Sequence, residues 1–224
     1  MHDLPETKSA AAGRILQLLA RRVSASRLYP SQFRYNLTIG SRPRFVWFRV
    51  AKAGTRSIFD VLRQAGVSFA VENAIFRHYR PAAHRNDFKF AFVRDPVERF
   101  VSCWRDRVIR RNHFGFPPDA HARMQNLGAF IGHVGNLDIE RCDVHLRLQT
   151  RLVDLDNVDF LGRMESFDGD VVEVLSRLGL PAVSVPRRNA SGQSGAPVLP
   201  TGEERGRIEA LYERDIRILG YRRT

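Results

Sequence analysis

The sequence predicts an α/β protein, a central parallel sheet flanked by helices in three layers. Two segments carry that prediction: FVWFRVAKAGTRSIFDVL from Phe45 and FKFAFVRDPVERFVSCW from Phe88, each an apolar run, a tight polar turn and a helical pattern. Apolar runs of this kind suit strands buried on both faces, as in parallel sheets. Strand and helix patterns continue to alternate downstream, and 224 residues suit one sizeable core rather than two.

Taken in order, residues 9–23 place Ile15, Leu18, Leu19 and Val23 at helical spacing beside Arg14, Arg21 and Arg22, an amphipathic basic helix. Such a helix packs on its own domain or makes a peripheral membrane contact. Residues 26–44 read as an irregular lead-in ending in a Pro-containing turn. Residues 1–43 are therefore separated from a single domain over 44–224. The first strand, Phe45 to Val50, stops at Ala51-Lys52-Ala53-Gly54-Thr55-Arg56-Ser57, and Ile58, Val61 and Leu62 open a helix. Gly54 allows close backbone approach to a ligand, and backbone N–H groups at a helix start form an anion site.

A short strand is expected over 68–71, followed by a His- and Arg-rich connection over 75–87. The second strand, Phe88 to Val93, runs into Arg94; Asp95 reads as N-cap, Pro96 as N1 and Glu98 as N3. The helix continues with arginines through Arg105–Phe116, another spans 120–134, a strand covers 157–163 and a helix 168–178. A Gly/Ser loop follows over 187–197, and an amphipathic helix over 203–219 closes the chain.

The net charge of +12, from 36 Lys+Arg against 24 Asp+Glu, points to an anionic ligand or partner. The two cysteines, Cys103 and Cys142, have no metal-ligand spacing and read as free thiols. No stretch approaches the ~18 apolar residues of a membrane span, and the N-terminus lacks a signal-peptide pattern, so a cytoplasmic location is expected. The first turn is not a Walker A loop, because Lys52 precedes the single Gly54.

KAGTRS and FVRDPVERFVS resemble the two donor-binding signatures of the sulfotransferases that use 3′-phosphoadenosine-5′-phosphosulfate (PAPS). They are most similar to the carbohydrate, Golgi-type, sulfotransferase family 2-like branch, as are Asp143-Val144-His145 with Gln149, Met164-Glu165, and Tyr212, Asp215, Gly220 and Tyr221. The resemblance covers roughly residues 44–221 and implies the P-loop-like sulfotransferase fold. It implies that Lys52, Gly54, Thr55, Arg56 and Ser57 hold the 5′-phosphosulfate and that Arg94 and Ser102 hold the 3′-phosphate. Asn189 and Ser191 would add donor contacts from the Gly/Ser loop. The sequence departs from the family at Ala51, often Pro, and at Arg56, often a small hydroxyl residue.

The implied reaction moves a sulfuryl group in line from PAPS to an acceptor hydroxyl, on a carbohydrate or glycolipid, leaving adenosine 3′,5′-bisphosphate, with no metal. Lys52 is expected on the leaving-group side. For the general base the resemblance favours His78, in the connection between the signatures, ahead of His145, with His84 and Glu72 behind them. Two other classes remain open on the residues: a nucleotide or small-molecule kinase, from the phosphate cradles, and a nucleic-acid-binding protein, from the charge. No nucleic-acid partner is expected.

Overall fold

The computed structural model describes residues 34–184 and 199–223. The expected helix over 9–23 and the Gly/Ser loop with Asn189 and Ser191 lie outside the described residues.

Among the described residues five strands form one sheet: β1 (Arg34–Arg42), β2 (Arg44–Phe48), β3 (Ser68–His78), β4 (Phe88–Val93) and β5 (Phe160–Arg163), in the order β3-β1-β2-β4-β5. Only β2, β4 and β5 are parallel; β1 runs antiparallel to both β2 and β3. The sheet is thus mixed, against the expectation of a parallel one. The cause is the β1–β2 connection, where Pro43 alone separates the strands and Ser41 pairs with Arg44. So short a link permits only an antiparallel hairpin.

Residues 34–42, expected to be irregular, carry the period-2 signal of a strand in Tyr35, Leu37 and Ile39, alternating with Arg34, Asn36 and Thr38. Gly40 is required by packing, since a Cβ there would come within 2.2 Å of the Phe45 ring. β3 runs past the expected 68–71 as far as His78, although its residues are mostly exposed. An edge strand is held by its ladder, so the apolar pattern that marks β2 and β4 is absent.

Both faces of β2 and β4 are covered, which explains their continuous apolar sequence. Phe45, Trp47, Phe90 and Phe92 pack against Ile58, Val61 and Leu62 of α1 (Thr55–Gln64) and Val171, Val174 and Leu175 of the later helix Phe167–Arg177. Val46, Phe48, Ala91 and Val93 face Tyr79, Leu152, Val153 and Leu219. Each fully buried side chain of this size contributes about 1.5–3 kcal/mol.

A separate apolar cluster joins α2 (Pro96–Trp104) to the helices Leu127–Gly135 and Gly202–Leu211 through Phe100, Phe130, Val134 and Ile208. After α2 the chain does not continue as an α-helix through Phe116. It makes one π-helical turn, Arg105–Ile109, and then leaves helical conformation. The helix expected over 120–134 divides into α3 (Pro118–Met124) and α4 (Leu127–Gly135), because Asn126 caps the second part by accepting from Ala129 N–H. α5 is Phe167–Arg177, and the closing helix divides at buried Tyr212 into α6 (Gly202–Leu211) and α7 (Glu213–Ile218).

Candidate active site

β2 and β4 are adjacent and parallel, with Phe48 opposite Ala91, so the turns that follow them emerge together at one end of the sheet. In the first turn Lys52 and Gly54 both have left-handed backbone, with φ of 70° and 67°. That conformation is easy for glycine and uncommon for lysine. α1 then begins without a side-chain cap and without a carboxylate in its first turn, and Ile58 N–H is bonded back to Gly54 O. The N–H groups of Thr55, Arg56 and Ser57 consequently have no intrahelical acceptor. Thr55 and Ser57 are half-buried beside them, while Arg56 is exposed.

The second turn is organised differently. Gln149, fully buried, accepts from Arg94 N–H at 3.0 Å and donates to Arg94 O at 2.7 Å, locking the backbone at the strand's end. Gln149 is itself fixed by Asp215, whose carboxylate accepts from the N–H groups of Gln149 and Thr150 and from the Thr150 hydroxyl. Asp95 caps α2 by accepting from Glu98 N–H, and Glu165 accepts from Asp95 N–H at 2.6 Å. Burial raises the Asp95 carboxyl, and the nearby Glu98 and Glu165 charges add to the rise against the bond from Glu98 N–H. The Arg94 guanidinium reaches back to Glu98 at 2.9 Å, and Ser102 lies half-buried further along the helix.

Arg99, almost completely buried on α2, ties the two turns together. Its guanidinium donates to Ala51 O at 2.9 Å and to Val144 O at 3.0 Å, joining the first turn, the second helix and the segment that holds His145. In the sequence it is marked only as the second arginine of FVRDPVERFVS, with nothing to assign it this role.

A chain of polar contacts leads away from Lys52. Its Nζ donates to Asp106 Oδ2 at 2.9 Å; Asp106 also faces Arg107 at 3.4 Å and Arg111 at 2.9 Å. Burial lowers the Lys52 ammonium, opposed by Asp106. Burial works to raise Asp106, but the bond from Lys52 and the charges of Lys52, Arg107 and Arg111 hold it down to about 2. Arg107 Nη2 meets His145 Nε2 at 2.7 Å, and His145 Nδ1 meets Asp143 Oδ1 at 2.6 Å. The guanidinium can only donate, so His145 accepts at Nε2 and carries its proton at Nδ1.

Asp143 also faces His113 Nε2 at 3.5 Å. Burial would raise Asp143, yet the two histidines hold its carboxyl far below the usual range; burial in turn lowers His145. His113 lies on the irregular segment after the π turn and had no sequence signal beyond its type. His113, Asp143 and His145 present potential metal-ligating atoms within 4.8 Å of one another. The Arg107 guanidinium at His145 already supplies a positive charge there, and these contacts account for the grouping as a hydrogen-bonded network.

The expected bases fall in different places. β3 runs in the same direction as β2, both being antiparallel to β1, so exposed His78 stands at the sheet end that bears the two turns. Phe76, two residues before it, lies under the Arg147 guanidinium at 5.6 Å, which brings the strand's end to the 141–147 segment. His145 has both ring nitrogens engaged. His84 pairs with Asp87 at 2.8 Å and stacks on Tyr79. Glu72 pairs with Arg63, at the end of α1 remote from Gly54. Cys103 is buried, which pushes its thiol up to about 12, and neither cysteine forms a disulfide. No helix among the described residues is long and apolar enough to cross a membrane.

The two turns lie side by side, one with a half-buried lysine before an uncapped helix start and one with a guanidinium held at a strand end. A family model described as "Sulfotransferase family" matches residues 35–222, from β1 to the segment after α7. No curated protein and no solved structure gave a match. The family match takes in both turns, the buried clamp on Arg94 and the network beyond Lys52, and on that extent the chain belongs to the sulfotransferase family.

Proposed function

We propose that the protein transfers a sulfuryl group from PAPS to an acceptor hydroxyl on a carbohydrate or glycoconjugate. The observation that carries this reading is the pair of unlike anion sites at the ends of adjacent parallel strands, matching a donor with phosphates at both 5′ and 3′ positions. The donor supplies the activated sulfuryl group and a stable leaving phosphate. The N–H groups of Thr55, Arg56 and Ser57, with the Thr55 and Ser57 hydroxyls, hold its 5′ end, and Gly54 lets the backbone close on it. Arg94, turning from Glu98, and Ser102 take the 3′-phosphate; a guanidinium offers a two-pronged fit.

In the transfer, the acceptor oxygen forms a bond to sulfur as the bond from sulfur to the bridging phosphate oxygen breaks. The electron pair stays on the leaving phosphate, which Lys52 neutralises, and the acceptor proton passes to a base. His78 is assigned as that base, from its place at the carboxyl end of β3. Its exposure leaves it open to a bulky acceptor, in contrast to engaged His145.

The test is calorimetric titration with adenosine 3′,5′-bisphosphate together with transfer of labelled sulfate to a panel of glycans. Binding of the bisphosphate, and turnover that His78→Ala abolishes while binding survives, are expected. Wild-type protein that ignores the bisphosphate overturns the reading, whereas magnesium-dependent ATP binding would favour a kinase.

A further inference from the structure

The π-helical turn Arg105–Ile109 follows α2 directly and is closed by the bond from Arg110 N–H to Arg105 O at 3.0 Å. Such a turn inserts a residue relative to an α-helix and re-aims the side chains around it, and π turns recur at functional sites. Here it sets Asp106 against Lys52, 54 positions away in sequence. Both side chains are only 16% exposed, so the pair is partly withdrawn from water. Lys52 also holds a left-handed backbone, which directs its side chain away from the path a regular strand end would give.

We infer that Asp106 is a positioning residue for Lys52, holding the ammonium at the first anion site until the donor's leaving phosphate takes it over. The inference rests on the sulfuryl-transfer reading for its chemistry, whereas the Lys52–Asp106 pair is observed directly. The charges around it are asymmetric. Asp106 faces three cations, Lys52, Arg107 and Arg111, so it stays compensated when Lys52 turns to an incoming phosphate. Lys52 faces one carboxylate, Asp106, together with the Arg107 guanidinium and the neutral Cys103 thiol. Without Asp106 the ammonium would be half-buried beside a like charge. Burial already lowers Lys52, and Asp106 is the group that opposes it.

Two variants separate charge from position. Acetylation of Lys52 as a function of pH, followed by mass spectrometry in the absence of any ligand, reads the ammonium directly. Asp106→Asn should move the labelling midpoint downward by about one pH unit or more, since removing an opposite charge at this distance disfavours the charged form by that order. It should also lower kcat about tenfold or more, with a smaller change in KM for the donor. Asp106→Glu keeps the charge and displaces it, so the midpoint should stay near wild type while kcat still falls. An unchanged midpoint in folded Asp106→Asn, or wild-type kcat in Asp106→Glu, overturns the assignment. The glutamate variant decides the question even where the asparagine variant does not fold. Loss of the sulfuryl-transfer reading would appear separately, as wild-type protein without bisphosphate binding, and the labelling would still report on Asp106.

Discussion

The two strand–turn–helix units look alike in sequence and differ in what already occupies their helix starts. The start of α1 is open: Gly54 gives no side-chain cap, the first turn has no acid, and the preceding backbone is left-handed at Lys52 and Gly54. The start of α2 is filled, by the Asp95 cap, by Pro96 at its first turn, and by Glu165 on the Asp95 N–H. On the proposed reading an anion would meet backbone N–H groups at the first unit, where helix-end charge is available, and side chains at the second, where carboxylates have already used it. On the proposed function, this difference suits the first unit to close approach of the reacting group and the second to recognition of a peripheral phosphate by Arg94 and Ser102.

The sharpest way to break this division is Lys52→Met. Removing one preorganised electrostatic contact to a developing negative charge typically costs about 10²–10³-fold in kcat. Single-turnover transfer should show that loss, with a far smaller change in bisphosphate affinity; equal losses in both would make Lys52 an ordinary binding residue. Next comes selectivity. Arg94→Ala should erase the preference for adenosine 3′,5′-bisphosphate over adenosine 5′-monophosphate, because a charged hydrogen bond is worth about 1.5–3 kcal/mol, or about 10–100-fold. A preference that survives, measured by calorimetry, would move the 3′-phosphate away from the second unit.

Gly54→Ala probes the open backbone. The left-handed conformation costs a non-glycine residue about 1–2 kcal/mol, and the added Cβ would come within 2.5 Å of Met164 Sδ. Thermal melting should report that loss, and pairing the change with Met164→Ala should recover only the steric part. Asp95→Ala removes a cap worth about 1 kcal/mol and should lower the melting temperature with less loss of selectivity than Arg94→Ala.

The smallest effect is on pH. Burial lowers His145 in the folded protein, so the unfolded chain takes up that proton first as pH falls below about 6.5. Stability present above that pH is then lost progressively on acidification, and Asp143, held low by the two histidines, extends the loss below about pH 4. His145→Gln should remove the first part of this fall in denaturant titrations at stepped pH and weaken the second, because one of the two side chains that hold Asp143 low is replaced.

Some of this was legible from residues alone. Asp95, Pro96 and Glu98 announced the start of α2, because capping chemistry is local and acts over three or four residues. Phe45–Val50 and Phe88–Val93 announced buried strands for the same reason that they are buried: both faces are covered. Tyr35, Leu37 and Ile39 of β1 also signalled a strand, but Gly40, Ser41 and Pro43 masked it. Gln149 and Asp215 were picked out only through the family resemblance, and nothing in their neighbourhoods says that one clamps the Arg94 backbone and the other holds the clamp. Nothing local assigns Arg99 its buried role, because a charged residue in a helix ordinarily faces water.

By itself the sequence determined the local pieces: two strands, two turns, a capped helix and an uncapped one, each set by periodicity and by contacts within a few positions. The tertiary structure decided which pieces cooperate. The mixed sheet, the Arg99 staple from Ala51 to Val144, and the path from Lys52 through Asp106 and Arg107 to His145 and Asp143 join residues tens of positions apart. Such contacts depend on how helices and loops pack and on how many residues a single π turn spans, quantities that local patterns do not encode.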